Sequence, residues 1–289
     1  MRPTSTKTTV EITTADGTRL VATQHSDSTA PRALPLILLH GLSQQRWFWN
    51  PVLARCALPD IVTLDQRGHG DSDTAPTSDF SIERCAQDVV ELVDHLGWSR
   101  WAVVGHSWGA SVALRVRTLA GDRVAAAGLI DGGVWGPRRM GPREVVRERL
   151  RPPTLGIPAD DLWQLIRAQP GVNWTPENLA ALAATYRIDD QGLAWTRIGM
   201  ERHMAVLDGL LDYDPTGDLT GGTSPIWVAL CQDWSGAGAA DPREEFLLGL
   251  PRLDRLRIQR WVGAVHDVPL QWPWLVAGLL AQICHETSE

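Results

Sequence analysis

The feature that most constrains this chain is the stretch Arg100 to Leu119, RWAVVGHSWGASVALRVRTL. It begins with Trp101-Ala102-Val103-Val104, an apolar run rich in β-branched side chains, as in a strand buried on both faces. Ala110, Val112, Ala113, Val116 and Leu119 then recur near helical spacing. Between the two lies Gly105-His106-Ser107-Trp108-Gly109, a G-x-S-x-G sequence. A serine on so sharp a strand-to-helix turn has strained backbone angles, and the glycines let neighbouring backbone pass close. The turn lifts the hydroxyl clear of the sheet and points the first helical amides at whatever the serine attacks. Ser107 is therefore the candidate nucleophile. The plainer alternative, a serine that only caps its helix, is outweighed by the strand and helix on either side.

The rest of the chain supplies a scaffold for such a turn. Thr8 to Thr13 and Arg19 to Gln24 alternate as strands about an Asp16-Gly17 turn. Leu34 to Leu39 predicts a buried strand ending at His40-Gly41, followed by a helix from Phe48 to Ala57. Ile61 to Leu64 predicts another strand, ending at Asp65 and the polar loop Gln66 to Ser72. Ile82, Ala86, Val89, Val93 and Leu96 step by four and three ahead of Gly97, a helix with its stop signal. Ala125 to Ile130 predicts a strand ending at Asp131-Gly132-Gly133.

From Trp135 to Gly222 no strand-like run occurs, only amphipathic helical pieces at Leu162 to Ala168, Glu177 to Tyr186 and Thr196 to Leu211. Alternation resumes with a strand at Pro225 to Leu230, a helix at Arg243 to Leu250, a strand at Arg255 to Trp261 and a helix at Pro273 to His285. Strands alternating with helices predict an α/β fold with a doubly wound, mostly parallel sheet covered on both faces. The expected division is a core of residues 1–134 and 223–289 with a helical insertion at 135–222.

Length and composition narrow the setting. The chain's 289 residues suffice for one such core with an insertion. No apolar run approaches the ~20 residues of a membrane span, and the N-terminal stretch has no signal-peptide core. A cytoplasmic protein with no membrane partner is expected. The net charge of -7 argues against a nucleic-acid partner. Cys56, Cys85, Cys231 and Cys284 are far apart and lack metal spacing, so buried free thiols, no metal and no cofactor are expected. Lys7 is the lone lysine among 27 basic residues, a bias of the kind a high-GC bacterial coding sequence produces.

A serine hydroxyl is a weak nucleophile and needs a base, itself held by an acid. His266, in the loop Gly263 to Pro269 after the last strand, is placed to reach over the sheet toward Ser107. The acid has two candidates at strand ends. Asp233, in Cys231-Gln232-Asp233-Trp234, is favoured, and Asp131 is the alternative. The oxyanion needs two aimed amides, expected from Trp108 and from Leu42 in the His40-Gly41-Leu42 loop. Asp65 to Ser72 is expected to brace the site without joining the chemistry. Fourteen tryptophans hint at aromatic walls, with Trp47, Trp49 and Trp135 the candidate pocket residues. Arg138 to Arg151 holds six arginines and two glutamates. Such runs are usually solvated helix faces; the sharper expectation is docking of an acidic carrier protein or an anionic substrate.

Together these pieces resemble the α/β-hydrolase superfamily in its cap-bearing branch. The resemblance spans nearly the whole chain. It rests on His40-Gly41, the run Asp65-Gln66-Arg67-Gly68-His69-Gly70-Asp71-Ser72, Gly105-His106-Ser107-Trp108-Gly109, and His266-Asp267. It implies an eight-stranded sheet, a cap after the sixth strand, no metal, and an acyl-enzyme on Ser107. Related epoxide hydrolases and haloalkane dehalogenases carry aspartate at the nucleophile position, so serine argues against those chemistries here. Where many members read Gly-x-x-Asp after the seventh strand, this chain has Cys231-Gln232-Asp233, one residue early, which keeps Asp131 in play. The leading functional expectation is a serine hydrolase acting on an ester, thioester or lactone of a hydrophobic or aromatic small molecule. An acyltransferase using the same residues is the alternative, and a non-catalytic ligand receptor on the same scaffold is the third.

Overall fold

Leu36 to Leu39 and Trp101 to His106 are buried along their whole length because they lie mid-sheet, covered on both faces. The computed structural model describes residues 6–73, 79–152, 156–232, 240–251 and 253–286. Strands β1 (Thr6–Thr13) and β2 (Arg19–Ser26) form an antiparallel hairpin. They are followed by β3 (Leu36–Leu39), β4 (Asp60–Asp65), β5 (Trp101–His106) and β6 (Val124–Ile130). A second, smaller sheet contains β7 (Ile157–Pro158), β8 (Tyr186–Ile188) and β9 (Leu193–Thr196). Strands β10 (Ile226–Gln232) and β11 (Leu256–Val262) complete the main sheet. Its order is β1-β2-β4-β3-β5-β6-β10-β11, eight strands. Only β2 runs against its neighbours; the remaining pairings are parallel.

This order locates the site. From β3 the chain winds one way to β4; from β5 onward it winds the other way through β6, β10 and β11. The carboxyl ends of β3 and β5 therefore flank the point where winding reverses, and the crevice there is the natural ligand position. Ser107 directly follows β5, and His40-Gly41-Leu42 directly follows β3.

Helices α1 (Asn50–Leu53), α2 (Ile82–Leu96) and α3 (Trp108–Ala120) belong to the first half. Between β6 and β10 lie α4 (Arg143–Arg149), α5 (Ala159–Arg167), α6 (Pro176–Ala183), α7 (Met200–Asp212) and α8 (Thr216–Thr220). The chain closes with α9 (Pro242–Leu248), α10 (Val268–Gln271) and α11 (Pro273–Glu286). Two apolar layers sandwich the sheet. Ile37, Leu39, Trp101 and Val103 pack with α2 and α3, while Leu36, Leu38, Ala102 and Val104 pack with α1 and α11. That strict alternation is the period-2 geometry of a strand with an apolar layer on each side. Helix α2 starts where the Ser81 hydroxyl accepts from the Arg84 amide and stops at left-handed Gly97 (φ 70°).

The insertion departs from the all-helical expectation. Tyr186 and Thr196, expected within helices, lie in β8 and β9, which pair antiparallel with each other. The turn between them is tied locally: the Asp189 carboxylate accepts from the amides of Gln191 and Leu193 and from the Trp195 indole. Strands of two to four residues are too short for alternation to register in sequence.

The loop from Asp65 to Ser72 is braced from several sides. The Asp65 carboxylate accepts from the amides of Arg46 (2.7 Å) and Asp71 (2.8 Å) and pairs with the Arg46 guanidinium. Arg67, wholly buried, donates from two nitrogens to Asp88 at 2.6 and 2.7 Å and reaches Asp16 at 3.0 Å. Removing one member of a buried ion pair strands the other charge in a poorly solvated place. Asp88 keeps a second partner in Arg84 at 2.8 Å, so Arg67→Met is expected to cost about 1–3 kcal/mol of unfolding free energy, read as a lower urea midpoint. A midpoint unchanged from the parent would show that Asp88 finds other solvation.

Candidate active site

Three backbone segments converge on Ser107 so tightly that glycine is required at each. A Cβ on Gly105 would lie 2.0 Å from the Gly109 oxygen; one on Gly109 would lie 2.5 Å from the His40 oxygen; one on Gly132 would lie 2.1 Å from the Ser107 oxygen. Ser107 itself has φ 55° and ψ -119°, an uncommon conformation for a residue with a side chain. It is held by its own amide, which donates to Ile130 of β6 at 2.9 Å, and by the start of α3.

The Ser107 hydroxyl lies 3.0 Å from Nε2 of His266, and Nδ1 of His266 lies 2.6 Å from Oδ2 of Asp131. With Asp131 accepting from Nδ1–H, Nε2 is left free to accept from the serine. The favoured acid, Asp233, lies outside the described residues; the carboxylate that holds His266 is the alternative, Asp131. Its placement is physical. β6 adjoins β5, so the residue after β6 sits beside the residue after β5. Asp131 takes φ 47°, which turns its side chain back across the strand ends.

Asp131 is shared. Its other oxygen accepts from Arg243 at 2.6 Å and from the Cys231 amide at 3.1 Å. Arg243, near the start of α9, also donates to the Cys231 carbonyl and to Asp241, both at 2.7 Å. Burial alone would raise the Asp131 carboxyl. His266 and Arg243 outweigh that burial and hold it below the ordinary carboxylate range. For His266, burial opposes the charged ring, but the Asp131 carboxylate outweighs it, so the imidazole titrates above the ordinary histidine value of 6.5. More than half of its side-chain surface, 56%, nonetheless opens to the cavity.

The surrounding histidines stay neutral. Burial pushes His40 well below 6.5 and His69 down to about 4. His106 is likewise lowered by burial and by the neighbouring His266 ring. Their nitrogens are occupied with backbone: His40 Nε2 accepts from the Gln66 amide, His69 Nε2 from the Ser43 amide, and His106 Nε2 donates to the His266 carbonyl at 2.8 Å. Gln44 joins two loops. Its Oε1 accepts from the Gly41 amide at 3.1 Å and its Nε2 donates to Asp267 at 3.1 Å.

Neither expected oxyanion donor, Leu42 nor Trp108, spends its amide on a protein acceptor among the described residues. The Trp108 amide is one of the free donors at the start of α3, where partial positive charge collects. A cavity of about 800 Å³ opens beside Ser107, Asp131 and His266. Trp135 lines it, together with Met140, Leu150 and Leu210 from the insertion. Trp47 and Trp49 do not. Trp49 is wholly buried in the α1 side of the core, and Trp47 lies under the Arg46 guanidinium at 4.4 Å. An aromatic run next to the oxyanion loop is here a packing device. Arg243 and Gln44 were not singled out in the sequence. The only signal for Arg243 was Asp241-Pro242 at a helix start, which says nothing about which carboxylate the arginine meets.

Residues 35–195 match the family described as alpha/beta hydrolase fold. The soluble epoxide hydrolase of Corynebacterium sp. (strain C12) is 43% identical over 86 residues, 29% of this chain and 30% of that protein. The N-formylmaleamate deformylase of Pseudomonas putida is 30% identical over 152 residues, 51% of this chain and 55% of that protein. The chain thus matches less than two thirds of the length of either relative. Among solved structures, E-2-(acetamidomethylene)succinate hydrolase superposes with a TM-score of 0.73 over 96% of this chain and 99% of that one, at 20% identity. At that identity the likeness is one of fold.

Gly109→Ala forces a methyl group into two backbone carbonyls that cannot move without shifting β3. It is expected to lower stability by about 1–3 kcal/mol or more, read as a lower melting temperature. A melting temperature equal to the parent's would mean the elbow is looser than its geometry requires.

Proposed function

This chain belongs to the alpha/beta hydrolase fold family, and from that premise we propose that it is a serine hydrolase working through an acyl-enzyme on Ser107. One observation carries the proposal: the unbroken relay from the Ser107 hydroxyl to His266 at 3.0 Å and from His266 to Asp131 at 2.6 Å. His266 takes the serine proton as the oxygen attacks a carbonyl carbon. The amides of Leu42 and Trp108 receive the developing oxyanion. Imidazolium then gives its proton to the leaving group, and Asp131 stabilises the transient positive charge without itself becoming protonated. Water, activated by the same His266, releases the acid.

The substrate class follows from the nucleophile. Attack of a serine oxygen on an epoxide would leave an ether, which a histidine base cannot hydrolyse. The epoxide hydrolase relative therefore does not supply the reaction, and an ester, thioester or lactone carbonyl does. The apolar wall of Trp135, Met140, Leu150 and Leu210 favours an apolar or aromatic body. The open face of His266 gives water direct access, which favours hydrolysis over transfer to a second acceptor.

Ser107→Ala is expected to lower kcat for an activated ester by about 10³-fold or more and to abolish labelling by a fluorophosphonate. Labelling that persists at another residue would remove Ser107 from the role. The base must be neutral to act, so kcat/KM should rise with pH through a midpoint above 6.5. Two substitutions move that midpoint in opposite directions. Asp131→Asn removes the charge that raises His266, so the midpoint falls while the rate drops. Arg243→Met removes a positive charge that disfavours the imidazolium, so the midpoint rises. Midpoints that stay put in both variants would show that another group governs the limb.

A further inference from the structure

Resting on the acyl-enzyme reading above, we propose that the substrate carries an anionic group, of carboxylate type, received by Arg139 and Arg149 in the cavity that holds Ser107. Both arginines line that cavity. The remaining charged lining groups, Arg243 with Asp131 and Asp241, sum to one negative charge while His266 is neutral, so Arg139 and Arg149 leave the described lining net positive. Arg243 lies between Asp131 and Asp241, at 2.6 and 2.7 Å. Asp131 also holds His266. Among the described residues neither Arg139 nor Arg149 forms an ion pair.

The contrast with their neighbours is what gives this weight. Arg143 and Arg147 lie in the same arginine-rich segment and are neutralised by α7. Arg143 pairs with Asp212 at 2.7 Å and with Asp208 at 3.0 Å, and Arg147 pairs with Asp208 at 2.8 Å. The segment thus turns one set of arginines toward carboxylates of its own chain and leaves another set facing the cavity with no ion pair among the described residues. In a protein of net charge -7, a net positive lining among the described residues is a local reversal of sign.

Arg139 is also held in place. Its guanidinium carbon lies 4.2 Å from the centroid of the Phe246 ring. A cation–π contact of this kind restrains the guanidinium without using its N–H groups, which can then meet a carboxylate. A cation at a helix end also complements the helix dipole, and that would account for Arg149 at the last position of α4. It does not account for Arg139, which precedes the helix. Met140 and Leu150 adjoin these arginines in sequence and line the same cavity. The expected ligand accordingly has an apolar body between the reacting carbonyl and the anion.

The test compares matched esters. One pair places the charge on the acyl arm, the p-nitrophenyl monoester of adipic acid against p-nitrophenyl hexanoate. A second pair places it on the leaving arm, a carboxyphenyl ester against its carbamoylphenyl counterpart. In at least one pair kcat/KM should favour the carboxylate by about tenfold at low salt, and the preference should shrink as salt is added. The double variant Arg139→Gln/Arg149→Gln should bring that ratio to within about twofold, chiefly through a higher KM for the anionic ester. Arg149→Gln alone, at an exposed position, should move the ratio the same way by less. Equal rates within both pairs, or a preference that survives the double substitution, would overturn the anionic subsite and leave the hydrolase standing. Absence of turnover for every ester, with Ser107 unlabelled by a fluorophosphonate, would overturn the acyl-enzyme reading and the subsite with it.

Discussion

Everything at this site depends on how closely three backbone segments approach one another around Ser107. The end of β3, the turn after β5 and the loop after β6 meet without space for a single Cβ at Gly105, Gly109 or Gly132. That contact holds a serine with a side chain at φ 55°, a conformation that costs on the order of 1–3 kcal/mol and persists only because its surroundings leave no alternative. It also fixes where the neighbours fall. The residue after β6 arrives beside the hydroxyl as a carboxylate, and the residue after Gly41 arrives with an unspent amide. The sheet order, with β3 and β5 adjacent at the reversal of winding, is what brings the three ends together.

Around that contact the charges are arranged so that one group titrates usefully. His40, His69 and His106 are buried; His40 and His69 each accept a backbone N–H at Nε2, which needs a neutral ring, and burial keeps His106 neutral. His266 differs because it faces Asp131, and Asp131 is itself steadied by Arg243. Arg243 works in two directions at once. It keeps the carboxylate ionised, and it offsets part of the pull that the carboxylate exerts on the imidazole. The outcome is a histidine raised above its ordinary value by Asp131, with Arg243 opposing part of that rise.

Much of this was legible in the chain. The Gly105 to Gly109 turn announced its strand, its helix and its serine, because each has a local signature that tertiary context rarely overrides. His266 was legible by elimination, since it alone among the histidines follows the last strand in a loop. The choice between Asp131 and Asp233 was not legible. Both end a strand, and deciding between them requires the neighbour relation of β6 and β5 and the positive φ of Asp131, neither of which is written in residue types. Trp49 was misread as a pocket wall for a related reason: its burial against α1 and α11 is a property of packing between distant segments. The short strands β7, β8 and β9 were missed because two to four residues carry no period, and their pairing depends on an Asp189 turn that resembles any polar loop.

Gln44 has a consequence for how the site responds to a guest. One end of its amide holds the loop that offers the Leu42 donor, and the other holds the segment that carries the imidazole. A molecule that presses the first loop outward therefore strains the hydrogen bonds that tie it to the second. Entry of a badly shaped molecule would spoil both together, so discrimination is exercised by the frame of the site as well as by its walls.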